Sequence, residues 1–487
     1  MKYVIQGYEP KVLFKYFEDL SAIPRSSGNE KAVADYLENF AKANNLFIYR
    51  DKLNDVIIKK AGSKGCENLP AVMLQGHTDM VCEKNSDTVH DFEKDGLKLV
   101  VKDGVLSADG TTLGADNGVA VALMLAVLSD DALCHPPLEC VFTVQEETGL
   151  FGAVELDGSL LSARTMINMD SEEEGIATVS CAGGMRVRLH KNREYEDEKY
   201  GFLLALSLRG LLGGHSGADI HLGRANANKL MGRVLNAVLR NVQLRLVTIN
   251  GGSKDNAIPR ESDCVAAFKT EAERENARDI IAAVTADIKA ELAAAEPNFK
   301  IDLKKEDRQA VVMSKALTEA VVRGVYLAPY GPLARNVQKG GFVVCSVNLG
   351  VITTKEDEVV LCFSLRSSED SLQQETLHRL ELLAELLGFR LSKDSEYPGW
   401  SYAEKSNIRD IFCKCYKKEF GTELKIEAIH AGLECGLFIK KMPGLDAIAV
   451  GPNLRKCHTP EEELDLASCG RFWQLLVSVL AELAAMK

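Results

Sequence analysis

The 487-residue sequence lacks several features that would assign it to a broad class of proteins. Basic residues are not in excess, because 58 lysines and arginines face 70 aspartates and glutamates and leave a net charge of −12. Nucleic-acid-binding domains usually carry a basic patch, so we expect no nucleic-acid partner. No uncharged apolar run approaches the ~20 residues that span a bilayer, and the opening MKYVIQGYEP lacks the apolar core of a signal peptide. We therefore expect no membrane partner.

Cysteine pairing is also missing from the sequence. The thirteen cysteines are scattered and contain no CxxC motif, and an odd number cannot all pair within one chain. Disulfides are concentrated in secreted and extracellular proteins. The pattern therefore indicates reduced thiols and a cytoplasmic location.

The length and the order of predicted elements indicate two domains. A chain this long exceeds one ordinary hydrophobic core. Predicted strands and helices alternate over 1–183, and this alternation resumes over 397–487, which is typical of an α/β domain with a largely parallel core. Residues 184–396 contain strands of alternating polarity and amphipathic helices. The sequence thus predicts an α/β domain that is interrupted by a large α+β insertion and completed by the C-terminal segment.

Polar side chains that can bind metals stand where the predicted buried strands end, or just before the apolar helix that begins near residue 117. They are His77, Asp79, Asp116, Glu146, Glu147, Asp170 and His458. The carboxyl ends of strands in an open α/β sheet face one crevice, so we expect these groups to meet. Histidines and carboxylates together suit Zn²⁺, or Mn²⁺ and Co²⁺ where more ligands are oxygen. Two histidines and three carboxylates exceed one open tetrahedral site, and two ions that share a bridging carboxylate account for the surplus.

Five segments identify a resemblance to the M20 family of co-catalytic metallopeptidases, and within it to dipeptidases. They are QGHTDMVCEK, GTTLGADNGVAVA, QEETGLFGA, GGHSGADIHLGRANA and HAGLECGLF. The resemblance extends over nearly the whole chain. Many M20 members have an Arg-Gly stretch before the bridging aspartate, where this chain reads ADGTTLGADNG with the aspartate intact. The resemblance implies two divalent cations, Zn²⁺ first, in the α/β domain, and an inserted domain that acts as a lid.

The resemblance also implies which residue binds which ion. His77 and Asp170 are expected to hold one ion, and Glu147 and His458 the other. Asp116 is expected to bridge the two. These assignments use all five donors.

Two further carboxylates are implied to serve the same centre. Asp79 is expected behind His77, where it would fix the tautomer of the imidazole and raise its basicity. Glu146 is expected to act as the general base that takes a proton from the attacking water and passes it to the leaving amine.

The inserted region is implied to supply the substrate contacts. His215 in GGHSG is expected to donate a hydrogen bond to the scissile carbonyl oxygen. Arg366 in FSLRSSED is expected to bind the terminal carboxylate of the substrate with its bidentate fork. Asn256 in DNAIPRE and Gly432 in HAGLE match further substrate contacts.

Other candidates are not assigned to the site. His430 stands near Gly432, which leaves a site-lining role open, but without a motif of its own this role is not favoured. Cys457 precedes His458, and neighbours on an extended chain point to opposite sides. Residues 172–174, three glutamates, are expected to form a solvated acidic run.

The leading hypothesis is two-metal hydrolysis of unblocked dipeptides, including Xaa-His dipeptides such as β-alanyl-histidine. The alternatives within the family are an N-acyl-amino-acid amidohydrolase and an aminopeptidase that acts on longer peptides. A non-catalytic binding protein on the same fold would lack a ligand or the base, and neither is missing here. Small peptides are the expected partners, and a homodimer is the alternative to a monomer.

Overall fold

A computed structural model describes residues 3–486 of the protein. Its helices are α1 (Lys11–Ser21), α2 (Lys31–Ala43), α3 (Ala115–Ser129), α4 (Phe151–Glu155), α5 (Ala227–Leu239), α6 (Glu271–Leu292), α7 (Lys315–Leu327), α8 (Asp370–Leu387), α9 (Asn407–Phe420), α10 (Glu434–Lys441) and α11 (Leu466–Ala485).

The strands alternate with these helices along the chain. They are β1 (Phe47–Arg50), β2 (Val56–Lys60), β3 (Val72–His77), β4 (Leu99–Lys102), β5 (Val105–Ala108), β6 (Leu138–Thr143), β7 (Thr165–Asn168), β8 (Ile176–Cys181), β9 (Gly183–Asn192), β10 (Tyr200–Arg209), β11 (Gly214–His215), β12 (Arg245–Gly251), β13 (Ala257–Ile258), β14 (Ser262–Phe268), β15 (Lys300–Ala310), β16 (Gly331–Asn336), β17 (Phe342–Thr354), β18 (Glu358–Ser367), β19 (Arg390–Tyr397), β20 (Lys425–Ile429), β21 (Asp446–Ala449), β22 (Leu454–Arg455) and β23 (Glu463–Asp465).

The chain forms two compact units. The first contains residues 3–180, 402–428 and 433–486, and the second contains 181–401 and 429–432. The second unit extends slightly beyond the expected insertion, 184–396. It also takes in the short segment 429–432, which the sequence analysis left with 397–487.

The first unit is built on an eight-stranded sheet in the order β1-β2-β6-β3-β7-β21-β8-β20. The four central strands β6, β3, β7 and β21 are parallel, while β1 and β2 on one side pair antiparallel. Strands β3 and β6 are buried along their whole length, as expected of parallel strands covered on both faces. The predicted α/β fold with a largely parallel core is confirmed.

The dipeptide Asp103–Gly104 between two apolar runs predicts a hairpin, and this hairpin is present in the first unit. Strands β4 and β5 pair antiparallel on either side of it. Both turn residues have positive φ, 50° and 82°, which is the backbone of a type I′ turn. The hairpin joins a small sheet in the order β22-β23-β5-β4, in which β22 and β23 flank the segment that carries His458.

The second unit contains a nine-stranded sheet in which β15-β10-β14-β12-β17-β18-β9-β19 lie in order and β16 pairs with β17. All its pairings are antiparallel. Alternate residues of β10 enter different clusters: Leu204 and Leu206 join the large core that includes residues of α5–α8, whereas Leu203 packs with Tyr200 in a small cluster. This alternation is the period of a strand, and the predicted α+β insertion is confirmed.

Helix α11 is long and apolar enough to cross a membrane by length and composition alone, with a mean hydropathy of 1.2. It carries Arg471 and Glu482, so it is not an uncharged run. In the structure, Leu475, Leu476 and Val479 are buried, and the helix packs on α9. This burial is typical of a core helix.

Candidate active site

The parallel strands of the first unit bring the predicted donors to one edge of its sheet. His77 ends β3, Asp170 follows β7, and Glu147 follows β6. The register places His77 beside Thr143 of β6, so these strand ends lie side by side. The side chain of Asn117 ties two of them together, because it accepts a hydrogen bond from the His77 amide (3.2 Å) and donates one to the carbonyl of Met169 (2.9 Å).

Asp116 lies between the two histidines. Its Oδ1 is 3.1 Å from His77 Nε2, and its Oδ2 is 3.1 Å from His458 Nε2. Asp170 Oδ1 lies 3.5 Å from His77 Nε2, and Glu147 Oε1 lies 3.0 Å from His458 Nε2. The five predicted donors therefore form two groups that share Asp116, and within each group the donor atoms lie within 4.8 Å of one another.

The tautomer of His77 suits a metal ligand. Its Nδ1 faces two acceptors that belong to Asp79, the main-chain oxygen at 3.1 Å and the carboxylate oxygen at 3.3 Å. A ring nitrogen between two acceptors carries the proton, which leaves Nε2 facing Asp116 and Asp170 as the nitrogen that can bind a cation.

The charges of this cluster are those of a cation site. Hydrogen bonds with Asp116 and Glu147 raise the pKa of His458 to about 11. Burial disfavours a charged His77, yet the charge of Asp170 and the hydrogen bond with Asp116 raise the pKa of His77 well above its ordinary value. The carboxylates thus retain protons on both rings, and a divalent cation would compete for the same nitrogen atoms.

The position of Glu147 also fits a cation. Its Oε1 is buried and faces His458 Nε2 at 3.0 Å. A buried carboxylate is costly unless a positive charge or hydrogen bonds compensate it. Two histidines and three carboxylates match the nitrogen and oxygen ligands of Zn²⁺, so the residues present fit two divalent ions.

Asp79 does more than the sequence indicated. It is fully buried, and its carboxylate faces His77 as predicted. The same carboxylate accepts hydrogen bonds from the main-chain amides of Glu146 (3.1 Å) and Glu147 (3.3 Å) and from the hydroxyl of Ser27 (2.7 Å). Asp79 therefore also fixes the turn that carries Glu146 and Glu147.

Glu146 has the environment of a proton carrier. It lies beside the cluster, since donor atoms of His77, Glu146 and Glu147 approach one another within 4.8 Å. Burial, reinforced by the charge of Asp170 and opposed by that of His77, raises the pKa of Glu146 well above its ordinary value. A carboxyl group with a raised pKa can take up and release a proton near neutral pH.

The second unit brings His215, Arg366 and His430 together around Gly217. A Cβ at Gly217 would overlap the carbonyl oxygen of His430 and lie 3.1 Å from His215 Cε1 and 3.2 Å from Arg366 Nε. Only glycine permits this approach, which explains the last glycine of GGHSG.

His215 in this cluster is set up as a neutral donor. Its Nδ1 accepts a hydrogen bond from the amide of Ala218 (2.9 Å), so in the neutral ring the proton is on Nε2. Burial and the charge of Arg366 lower the pKa of His215. The ring is placed by the pairing of β11 with β13 and by the amide of Ser216, which donates to the carbonyl of Asn256 (2.8 Å).

Arg366 lies on β18 and is nearly buried, at 9% exposure. One guanidinium nitrogen donates to the hydroxyl of Tyr397 (3.2 Å), and Nε finds no acceptor among residues 3–486. Ser346 on β17 lies opposite Arg366, and its hydroxyl oxygen is 2.7 Å from His430 Nε2. Gly432 contacts the same tyrosine, since a Cβ there would lie 2.9 Å from the ring.

Comparisons with known proteins fit both clusters. Residues 73–482 match the sequence model of peptidase family M20/M25/M40. The chain is 37% identical over 481 residues to the cytosol non-specific dipeptidase of Escherichia coli K12, with 98% of both proteins covered. The chain belongs to peptidase family M20/M25/M40. It is accordingly a peptide hydrolase.

Solved structures of this family agree with the fold. The crystal structure of aminoacylhistidine dipeptidase from Vibrio alginolyticus superposes with a TM-score of 0.91 at 36% identity, covering 98% of both chains. The aminopeptidase PepT of Bacillus cereus superposes with a TM-score of 0.57 at 14% identity, covering 98% of this chain and 99% of that chain, which shows the fold alone.

In this M20 protein, one expectation about a side chain near the site is wrong. Cys457 was expected to point away from it, but donor atoms of Asp116, Glu172 and Cys457 approach one another within 4.8 Å. Glu172 is exposed, as expected of a solvated run. The chain is not extended here, because Lys456 and His458 have φ of 53° and 64°. The rule that neighbours on a strand point apart therefore does not apply.

Sequence reasoning missed Tyr397 and Ser346 and did not favour His430. A site-lining role for His430 was left open, and the residue lies in the cluster with Arg366, where burial and the charge of Arg366 lower its pKa to about 3. A signal was available, since His430 and Gly432 share the segment HAGLE. Tyr397 and Ser346 carried no motif.

Proposed function

We propose that this protein is a dipeptidase that uses two divalent cations, held by the five donors around Asp116. The observation that carries the proposal is the position of Asp116, whose two oxygens each lie 3.1 Å from a different histidine. The relatives named as dipeptidases cover 98% of the chain, which supports the substrate class.

One ion would be held by His77, Asp170 and Asp116, and the other by Glu147, His458 and Asp116. Zn²⁺ fits this ligand set best, with Mn²⁺ and Co²⁺ as alternatives. When bound, such a pair lowers the pKa of coordinated water and stabilises negative charge on the substrate oxygen.

Glu146 would move the proton of the reaction. It accepts a proton from the attacking water and donates it to the amine that leaves when the peptide bond breaks. Its raised pKa supports both directions of transfer. Asp79 holds the amide of Glu146 and so keeps this carboxylate beside the cluster.

The second unit would bind the substrate. His215, neutral with its proton on Nε2, donates to the carbonyl oxygen on which negative charge develops. Arg366 binds the free carboxylate of the dipeptide with its guanidinium fork, and its unpartnered Nε supports this role. Asn256 and Gly432 would contribute the remaining contacts, and the unit would act as the lid of the enzyme.

A free terminal carboxylate and a free amine define the proposed substrates, which include Xaa-His dipeptides such as β-alanyl-histidine. We propose a cytoplasmic location, supported by the thirteen cysteines, all within residues 3–486 and none in a disulfide. N-acyl-amino-acid hydrolysis and cleavage of longer peptides are the competing activities.

The test is a product assay on the zinc-loaded protein. Dipeptides, the same dipeptides extended by one residue, and N-acetyl amino acids should be compared at equal concentration. We expect kcat/KM to be highest for free dipeptides. A higher value for N-acetyl amino acids or for tripeptides would replace the proposed activity with one of the two competitors.

A further inference from the structure

Two buried charged residues of the first unit, Arg25 and Glu462, hold the segments that carry the metal donors. Each is only 2% exposed, and neither belongs to the donor set. A buried charge is costly unless hydrogen bonds compensate it. Both residues are compensated mainly by main-chain groups of the donor-bearing segments.

Glu462 joins the segment of Asp116 to that of His458. Its Oε2 accepts hydrogen bonds from the amides of Leu113 (2.8 Å) and Gly114 (2.9 Å), and its Oε1 accepts from those of Ala115 (2.8 Å) and Asp116 (3.2 Å).

Glu462 also belongs to the turn that follows His458, because its own amide donates to the carbonyl of Thr459 (3.0 Å). The carboxylate of Glu462 therefore fixes the four consecutive amides of residues 113–116 relative to the turn that follows His458.

Arg25 joins the segment of Asp116 to the end of β3. Its guanidinium donates to the carbonyls of Thr78 (2.9 Å), Asp79 (3.3 Å) and Gly114 (2.5 Å). Gly114 has a φ of 64°, and a Cβ there would lie 2.5 Å from Arg25 Nη2. The glycine is needed both for this backbone conformation and for this approach.

The two residues thus link the same short segment, residues 113–116, to two other donor-bearing segments: Glu462 to the turn after His458 and Arg25 to the end of β3. A metal centre requires its ligands to be held within about 0.5 Å of the productive geometry. We propose that Arg25 and Glu462 are positioning residues of the metal centre: Glu462 sets the distance between Asp116 and His458, and Arg25 sets the distance between Asp116 and His77. This inference depends on the proposed function, in which these residues bind metal.

The direct test is Glu462→Gln. The variant keeps the size of the side chain, but an NH2 group replaces one carboxylate oxygen and cannot accept hydrogen bonds from the two main-chain amides that it would face. Loss of a residue that orients metal ligands typically weakens metal binding by about 10–100-fold. We expect such a loss for Zn²⁺, together with a changed absorption spectrum of the Co²⁺-loaded protein.

Glu18→Gln is the matched control. Glu18 is also a buried carboxylate of the first unit, at 5% exposure, and it accepts hydrogen bonds from the amides of Val4 and Ile5. It touches no donor-bearing segment in these contacts. The control should lower the melting temperature of the metal-free protein and leave Zn²⁺ affinity unchanged.

The measurement is competition for Zn²⁺ with a chromophoric chelator, without any peptide substrate, on the wild type and each variant. Wild type that binds no Zn²⁺ would overturn the proposed function. Wild type that binds two ions, with Glu462→Gln equal to it in affinity and spectrum, would overturn the positioning role alone.

Arg25→Lys is the second variant, because it keeps the positive charge and loses the fork. If Glu462→Gln does not fold, the Zn²⁺ affinity of folded Arg25→Lys tests the proposal. A reduced affinity supports it, and an unchanged affinity contradicts it. If neither variant folds, both residues support the whole unit and the proposal is wrong.

Discussion

The donor cluster of the first unit and the Arg366 cluster of the second unit give histidine opposite environments. In the first unit, carboxylates surround His77 and His458, and hydrogen bonds with Asp116 and Glu147 raise the pKa of His458 to about 11. In the second unit, His215 and His430 lie near Arg366, and burial together with its charge lowers the pKa of His430 to about 3. Carboxylates therefore surround the histidines of the first cluster, as at a cation site, whereas burial and a nearby arginine keep His430 of the second cluster neutral.

This contrast follows from the architecture of each unit. Parallel strands end together, so the first unit gathers several carboxylates at one sheet edge. The antiparallel sheet of the second unit instead places single residues opposite one another, such as Ser346 and Arg366. Variants that alter one cluster at a time therefore test whether the first unit binds the metal ions and the second unit binds the substrate.

The largest effect is expected from removing the shared carboxylate of the first unit. Asp116→Ala should reduce kcat/KM on dipeptides by more than about 10³-fold, because both ions lose a ligand and each supplies several kcal/mol of transition-state stabilisation. Steady-state assays at saturating Zn²⁺ measure this. Asp263→Ala, which removes a carboxylate of the second unit that pairs with Arg209, is the control. An equal loss of kcat/KM in Asp116→Ala and Asp263→Ala would contradict the placement of the metal ligands in the first unit.

Glu146→Gln should come next, because it removes the proposed proton carrier and keeps the proposed metal ligands. General acid–base catalysis contributes about 10²–10⁴-fold, so kcat should fall by that factor. Metal analysis should still find two ions per chain. Near-normal turnover in this variant would exclude Glu146 from the proton transfer.

Arg366→Ala tests the second unit. A hydrogen bond to a charged group contributes about 1.5–3 kcal/mol, and each 1.36 kcal/mol corresponds to about tenfold in rate, so kcat/KM on free dipeptides should fall about 10–150-fold. Amidation of the dipeptide should have a similar effect on the wild type.

The two changes should not add, because both delete one interaction. Arg188→Ala, which removes an ion pair with Asp394 in the same sheet, is the control and should retain the preference for the free carboxylate. If Arg366→Ala also retains it, another residue recognises the terminus.

The smallest effect concerns stability against acid. His430 is held neutral in the folded protein, with a pKa of about 3, whereas in the unfolded chain histidine protonates near pH 6.5. Between these values the unfolded state binds the extra proton, so stability is lost as the pH falls, by up to about 1.4 kcal/mol per pH unit.

His430→Asn should therefore flatten the decline of the melting temperature between pH 7 and pH 5. Calorimetry at several pH values measures this slope. His378→Asn, at an exposed position, should leave it unchanged. If the melting temperature of His430→Asn falls with pH as steeply as that of the wild type, His430 does not cause this loss of stability.

The parallel core and the donor set could be predicted because they depend on local signals. Buried strands such as VMLQ and TMINM are apolar runs, and a polar residue directly after each marks the sheet edge. His77 and Asp170 were found in this way. The hairpin at Asp103–Gly104 was found from its turn residues.

The remaining features depend on tertiary structure. Glu172 and Cys457 come together only because the backbone turns into the left-handed region at Lys456 and His458. Tyr397 meets Arg366 across a folded sheet edge with no motif to mark it. Arg25 and Glu462 bind main-chain amides and carbonyls, and such contacts leave no pattern in a sequence.

The central claim is that Asp116 unites two cation sites in one peptidase centre. It is tested most directly by the number of Zn²⁺ ions per chain that the metal-free protein needs to recover hydrolysis of β-alanyl-histidine. We expect no activity in the metal-free protein and full activity at about two equivalents. Full activity at one equivalent, or hydrolysis that persists after chelation, would contradict this account.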